Sequence, residues 1–328
     1  MTADQGASLL ARLLNLAKKR REDYNLLLNR FGLERLLCRV ATSRHADRFL
    51  LKGALLFSLW YDEPHRPTRD ADLLGSGPAD IDSLVATFRE IVAIEMNDGI
   101  AFDPESVRAA AIREEAEYGG VRVRLSGRIN NVRLALQIDV GFGDAVTPNA
   151  ETAVLPALLD DLEAPTLRVY PVYTVIAEKY HAMVVLGMAN TRMKDFYDVA
   201  VIARRTSLDG ALLARALRAT FERRGTPLPQ RLPVALSAEF GDSASKQQQW
   251  QGFLLKSRIP DSSLGETVAL IASLLWPPTQ VAVAGAPVTA LWDAPRLKWL
   301  PFELESPNAT TKAAMREART LGRTRRTH

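Results

Sequence analysis

Two runs near the middle of the chain, "GVRVRLSGRI" and "VRLALQIDVGFGD", constrain the fold more than any other feature. In the first, Val121, Val123 and Leu125 alternate with Arg122, Arg124 and Ser126. In the second, Leu134, Leu136, Ile138 and Val140 alternate with Arg133, Ala135, Gln137 and Asp139. A period of two sends the apolar row to one face of a strand and the polar row to the other. "GRINN" between the runs has the residues of a hairpin turn. The chain therefore holds a half-buried antiparallel pair whose apolar side needs a cover.

Helices flank this pair. "SLLARLLNLAKKRRED" carries Leu9, Leu10, Leu13, Leu14 and Leu16 at helical spacing, and "YNLLLNRFGLERLLCRVATS" continues after a short break, so the first fifty residues read as a helical bracket. From Phe49 to about Asp144 the pattern becomes strands and short helices: "FLLKGALLFSLWY" is a turn at Gly53 followed by an apolar helix, "RDADLLG" a strand, "DIDSLVATFREIVAIEM" a helix. After a Pro-containing passage the helical period returns in "TVIAEKYHAMVVLGM" and "NTRMKDFYDVAVIARR", with Thr174 and Asn190 or Thr191 as candidate caps. Further helices are expected from Asp209 to Arg223 and from Leu264 to Leu275, with "SASKQQQWQ" a polar stretch between them. The division is 1–48 as an N-terminal helical segment, 49–165 as a core, 166–276 as a helical C-terminal domain and 277–328 as a Pro-rich, basic tail. The last forty residues are expected to be poorly ordered or draped over the surface.

Hydrophobic residues make up 47% of the 328 and charged residues 24%, which excludes disordered and fibrous classes. The single cysteine, Cys38, rules out an intramolecular disulfide and fits a reducing compartment. Its apolar helical setting reads as a buried, inert thiol. The N-terminal apolar run precedes its basic cluster, the reverse of a secretory signal, and no apolar stretch approaches the roughly 20 residues of a bilayer span. A cytoplasmic protein with no membrane partner is expected. Net charge is +4, and the segment from Lys312 to Arg326 holds six Lys or Arg against Glu317. That segment is either a solvated end or a phosphate-contacting tail.

The chemistry centres on "RPTRDADLLGSG". Asp70 and Asp72 project to one side of a strand, where two close carboxylates resist joint ionisation unless a cation stands between them. Mg²⁺ suits one or two carboxylates plus phosphate oxygens, although a solvated strand accounts for the D-x-D pattern as well. Asp139 is the carboxylate on the polar face of "VRLALQIDV". If its strand lies beside the Asp70 strand, three carboxylates converge as in a two-metal phosphoryl-transfer site. Lys179 falls on the apolar face of its helix, so it must snorkel, pair with a carboxylate or meet an anion. His181 is off that face and reads as a surface or satisfied histidine. Asp195 and Asp198 share a helix face with Arg192 and Lys194 as neighbours, either as a surface ion-pair set or, since Val199 and Ile202 continue the Asp195 side, with Asp195 turned inward. Gly53 after Lys52 can let backbone amides approach a phosphate, or simply make a turn.

In order, "LKGALL", "RPTRDADL", "LQIDVGFGD", "IAEKYHAMVVLGMANTRMKDFYDVAVIA" and "QWQGFL" resemble the AbiEii family of nucleotidyltransferase-like proteins, toxins of type IV abortive-infection toxin–antitoxin systems that include the MenT-like toxins. The resemblance covers roughly residues 45 to 275. It implies an α+β fold, a DNA polymerase β-like nucleotidyltransferase core with N-terminal helices and a helical C-terminal domain. It also implies a nucleotidyltransferase of the EC 2.7.7 type that moves NMP from an NTP to an RNA acceptor, the tRNA 3′ end being favoured, with a cognate antitoxin as partner. By position, Asp70 and Asp72 would be the metal pair, for Mg²⁺ or alternatively Mn²⁺. Lys179 would grip the triphosphate and Asp195 would be the essential acid of the late motif. Lys52, Gly53 and Thr68 match the nucleotide motif, Asp139 the strand motif, where it completes the metal site, and Asp198 the late motif. Ala54 stands where the family favours Gly or Ser, and Thr68 where it favours Ser. The alternatives are a nucleotide- or RNA-binding regulator without turnover, and nucleotidyl or phosphoryl transfer to a protein.

Overall fold

The computed structural model describes residues 3–61, 66–112, 120–285 and 290–301. Helix α1 (Ala3–Arg20) ends on three basic residues, a favourable charge at a helix C-terminus. Asp23 then caps helix α2 (Tyr24–Thr42) by accepting the Leu26 amide at 3.0 Å. The expected bracket covers the apolar side of the hairpin: Gly32 of α2 lies so close to Leu134 and Leu136 that a Cβ there would meet a Leu136 methyl at 3.0 Å. Helix α2 also carries Arg39 inward, where Asp98 receives its guanidinium at 2.7 and 3.1 Å. Cys38 is buried, donates to the Glu163 carbonyl, and its thiol is pushed up to about 11 by burial, which leaves it inert.

Strands β1 (Phe49–Lys52), β2 (Asp70–Gly75), β3 (Ala101–Ile112), β4 (Gly120–Ile129), β5 (Val132–Phe142), β6 (Glu151–Val154) and β7 (Thr166–Val169) form, among the described residues, one mixed sheet ordered β3-β4-β5-β2-β1-β7-β6. The expected hairpin is β4 and β5, with Asn130 at positive φ in its turn. A short helix, α3 (Phe57–Trp60), follows β1, and α4 (Ile81–Val92) packs on β3. Strand β3 is not foreseen by the sequence reading. Its "AFDPESVRAAAI" lacks clean alternation because a bulge between Asp103 and Arg108 breaks the register.

The second half is helical: α5 (Val172–Leu186), α6 (Met193–Arg205), α7 (Gly210–Arg223), α8 (Ala238–Gly241), α9 (Ala244–Ser257) and α10 (Leu264–Ala284). A short strand β8 (Leu208–Asp209) pairs with β9 (Ala290–Asp293), which pairs with β10 (Lys298–Pro301). Four expectations are corrected here. The polar run "SASKQQQWQ" is the first part of α9, anchored by buried Trp250. Thr174 does not cap α5. Pro171 occupies that position, and the Thr174 hydroxyl bonds to the Thr147 backbone instead. Arg192 is the residue before α6, and Asn190, two residues earlier, accepts the Arg192 amide. The helix from Leu264 does not stop at Leu275. It continues to Ala284, past the boundary drawn at 276, and residues 290–301 form a hairpin rather than loose chain.

Helix α10 is also long and apolar enough to cross a membrane by length and composition, contrary to the expectation that no stretch is. Its Leu264, Val268, Ile271, Leu274 and Leu275 are buried, and it packs against α6, α7 and α8, as a core helix does. The basic segment from Lys312 to Arg326 lies outside the described residues.

Candidate active site

Strand register assembles the carboxylates. Strand β2 lies between β5, parallel to it, and β1, antiparallel. Asp72 is opposite Asp139 on one side and Lys52 on the other, while Asp70 is opposite Gln137. Asp70, Asp72 and Asp139 therefore share one sheet face, as alternation requires. They are not equivalent. Both oxygens of Asp139 accept from the Arg122 guanidinium, at 2.8 and 2.7 Å. One oxygen of Asp70 accepts from the Thr68 hydroxyl at 2.9 Å. Asp72 makes no hydrogen bond or close ion pair among the described residues, and burial, then the charge of Asp70, pushes its carboxyl above the usual range.

A half-buried acid facing a second acid, with no ion pair among the described residues, is short of a cation. This pair fits a divalent ion completed by phosphate oxygens. Among the described residues no group of three or more His, Cys, Asp or Glu is placed to hold a metal. Asp139 can thus join Asp70 and Asp72 only by leaving Arg122.

Gly53 stands against this pair. Its φ is +74°, and a Cβ there would overlap the Asp72 carboxylate. Glycine is required twice over, for the left-handed turn and for the close approach. Lys52, one residue earlier, is committed elsewhere: its ammonium is 2.9 Å from Asp144 and 3.8 Å from Glu178, and lies over the Tyr170 ring. Burial would lower it, but Glu178 and Asp144 outweigh burial and hold it above its ordinary value. Arg224 grips the other oxygen of Asp144 at 2.8 Å.

The late motif forms a second cluster. Lys179 reaches Asp195 at 2.7 Å and Asp198 at 2.8 Å, both carboxylates being fully buried. Arg66 pairs with Asp198 through two nitrogens, at 2.8 and 3.0 Å, and Arg192 with Asp195 at 2.6 Å. Burial opposes ionisation on both sides, but attraction wins: Lys179 is held above its usual value by Asp195 and Asp198, and Asp195 below its own by Lys179 and Arg192. Of the three options open to Lys179, carboxylate pairing is the one observed. His181 is buried, not on the surface, and is satisfied by the Thr226 hydroxyl at 2.9 Å. The two clusters communicate electrostatically, since the charge of Asp72 is felt by Arg66 and that of Lys194 by Asp72.

Beside the late-motif cluster opens a groove of about 690 Å³ lined by Arg66, Arg69, Arg192, Lys194, Lys256 and Arg258, with Phe253 in its wall. Asp23 is the acid in that lining, and it is occupied as the cap of α2. Arg69, Lys194, Lys256 and Arg258 make no ion pair among the described residues. Concavity and uncompensated positive charge together favour an anionic ligand.

The sequence reading does not single out Arg122, Asp144, Glu178 or Arg224. Glu178 had a visible signal, as the acid beside Lys179 on a mostly apolar helix. Arg122 could be found only by knowing which β5 residue lies opposite it.

A mixed sheet presenting two aspartates two residues apart, beside a glycine turn and a helical domain that supplies a lysine and two buried aspartates, is the arrangement of a nucleotidyltransferase. The model of the family described as nucleotidyl transferase AbiEii toxin, type IV TA system, matches residues 35–269. The chain belongs to that family, and its α+β architecture is the polymerase β-like core with a helical C-terminal part. Among solved structures it is similar to JHP933 from Helicobacter pylori, at 16% identity and a TM-score of 0.43 over 78% of this chain and 96% of that one. A candidate nucleotidyltransferase from H. pylori is similar at 15% identity and a TM-score of 0.42, over 80% and 98%. No curated protein matches the chain.

Proposed function

We propose that this protein is the toxin of a type IV toxin–antitoxin pair that transfers the nucleotidyl group of an NTP to a hydroxyl of RNA, the 3′ end of tRNA being the favoured acceptor. A cognate antitoxin is its partner. The observation that carries the reading is the Asp70–Asp72 pair, with Asp72 unpaired among the described residues and pressed against the backbone of Gly53. In the reaction the acceptor hydroxyl loses its proton to solvent, its oxygen bonds to the α-phosphorus, and the bond from that phosphorus to the bridging oxygen breaks to release pyrophosphate.

Asp70 and Asp72 would hold Mg²⁺, or Mn²⁺, which when bound neutralises charge on the phosphate oxygens and lowers the pKa of the acceptor hydroxyl. Thr68 fixes the Asp70 carboxylate by donating to it, so its role is to orient an acid rather than to touch phosphate. Gly53, lacking a Cβ, lets the backbone at the start of a helical turn lie close against Asp72. Lys179 acts through Asp195, which it holds ionised, and through Asp198, which it holds in place. Arg66 and Arg192, tied to those same carboxylates, line the groove, where their outer edges can meet a polyphosphate. Lys52 braces the floor of the site through Asp144. Asp139 and Asp195 have both oxygens engaged by cations, so neither is free to take a proton in this arrangement.

The test is incubation with each α-labelled NTP, Mg²⁺ and total tRNA. Label is expected on RNA with one NTP or a subset of them, and not with Asp72→Asn. Label migrating with protein, or nucleotide bound with no label transferred, overturns the reading.

A further inference from the structure

The sheet face that carries Asp70 and Asp72 also carries arginines in opposed pairs. Arg108 on β3 is directly opposite Arg124 on β4, and Arg128 on β4 is directly opposite Arg133 on β5. All four are exposed. The first pair continues through Gln137 to Asp70 in one row across four strands. With strands about 4.8 Å apart, Arg124 and Arg108 stand roughly 10 and 14 Å from Asp70 along that row. The second pair lies four residues further along, about 13 Å at strand rise.

Like charges directly opposite one another weaken an antiparallel pair, and a face that serves solubility alone intersperses the two signs. Here no carboxylate relieves either pair among the described residues. Arg108 donates to the carbonyls of Glu105 and Val107, and Arg124 to the Gln137 side chain at 3.4 Å. The acids nearby on this face are engaged: Asp139 by Arg122, and Asp103 by the Glu105 amide at 3.0 Å. Outward positions beside the arginines are small, namely Ala101, Ala110 and Ala135. Among the described residues the face thus offers cations and room but no aromatic platform for stacking bases. That combination suits phosphates rather than bases.

We propose that Arg108, Arg124, Arg128 and Arg133 hold the sugar–phosphate backbone of a single-stranded nucleic acid whose 3′ end reaches Asp70 and Asp72. The direction of the strand rests on the nucleotidyl-transfer reading, whereas the binding does not.

The experiment is fluorescence anisotropy of a labelled oligouridylate strand with the full chain, in the absence of NTP and metal, across a salt series. Losing four phosphate contacts at about 0.7 each reduces the log–log salt slope by about 2.8. The wild type should therefore lose about 50-fold more affinity than the R108Q/R124Q/R128Q/R133Q variant between 50 and 200 mM salt. Four Arg→Lys changes should preserve the slope, because phosphate contact needs charge rather than the guanidinium fork. Melting temperature should hold or rise in the glutamine variant, since like-charge repulsion is removed. If that variant fails to fold, R128Q/R133Q alone should reduce the slope by about 1.4. An oligothymidylate strand should give the same slopes.

An unchanged slope in the folded glutamine variants overturns the proposal. So does a loss confined to binding of phosphatidylserine vesicles or of an acidic polypeptide, with strand binding intact. A wild type that binds the strand as described yet transfers no nucleotide to RNA refutes the nucleotidyl-transfer reading and leaves the track standing. A wild type that transfers label while the glutamine variant binds unchanged does the reverse.

Discussion

Gly53→Ala perturbs the proposed site through one methyl group, and its effect can be worked from the coordinates. At φ +74° any L-residue enters the left-handed region, at a cost of roughly 1–2 kcal/mol. The second effect is local crowding, because the added Cβ would occupy the space of the Asp72 carboxylate. Asp72 is tied into β2 and cannot move with its strand, so either its side chain rotates away from Asp70 or the turn after Lys52 lifts. A displacement of about 1 Å at a reacting centre costs on the order of 10²-fold in rate. Gly77→Ala is the matched control. Gly77 has φ +81°, but its nearest neighbours are Arg48 atoms at 3.6 Å and beyond. It therefore carries the backbone cost without the crowding. Urea unfolding should show both variants destabilised by roughly 1–2 kcal/mol, whereas the labelled-NTP assay should show a loss on the order of 10²-fold for Gly53→Ala and near wild-type transfer for Gly77→Ala. Wild-type transfer by Gly53→Ala, or equal losses in the two variants, would refute the claim that Asp72 is held against Gly53 for chemistry.

Two further predictions concern the buried charges. Lys179→Ala leaves Asp195 and Asp198 buried with fewer cations, and should destabilise the fold by roughly 3–5 kcal/mol. Urea midpoints must therefore accompany any growth assay of that variant, and a stable Lys179→Ala protein would contradict the pairing described here. His181 is held down to about 4, by burial first and then by Arg224, so the unfolded chain takes up a proton between the two pKa values and the folded one does not. Stability is present above the unfolded value near 6.5 and falls toward the folded one, by roughly 2–3 kcal/mol between pH 7 and 4.5. His181→Gln should flatten that part of the urea-midpoint profile, and an unaltered profile would assign the acid loss to other groups.

How much of this was legible depended on whether the signal was local or crossed the sheet. The β4–β5 hairpin, the bracket of α1 and α2 and the two late-motif helices follow from periods of 2 and 3.6 within single segments. Strand β3 does not, because its bulge breaks the alternation, and α9 does not, because a run of glutamines hides a helix that is held by Trp250. Asp70 and Asp72 could be placed on one face from their spacing alone, but their neighbours could not. Placing Lys52, Asp139 and Arg122 beside them needs the order β4-β5-β2-β1, which joins residues from 52 to 139 in one row.

Pairing is what the sequence conceals most thoroughly. Four of the charged residues that read as ligands for a nucleotide or a metal, Lys52, Lys179, Asp139 and Asp195, are each matched by an opposite charge supplied from another segment. Matched groups of this kind contribute shape and a fixed field, and releasing any of them leaves a partner exposed to the desolvation penalty. Asp72 differs in kind: it is half-buried, pressed by Asp70, and left without a hydrogen-bonded cation among the described residues. The energy that a bound cation could release is therefore concentrated at Asp72 rather than spread over every conspicuous carboxylate of the motif.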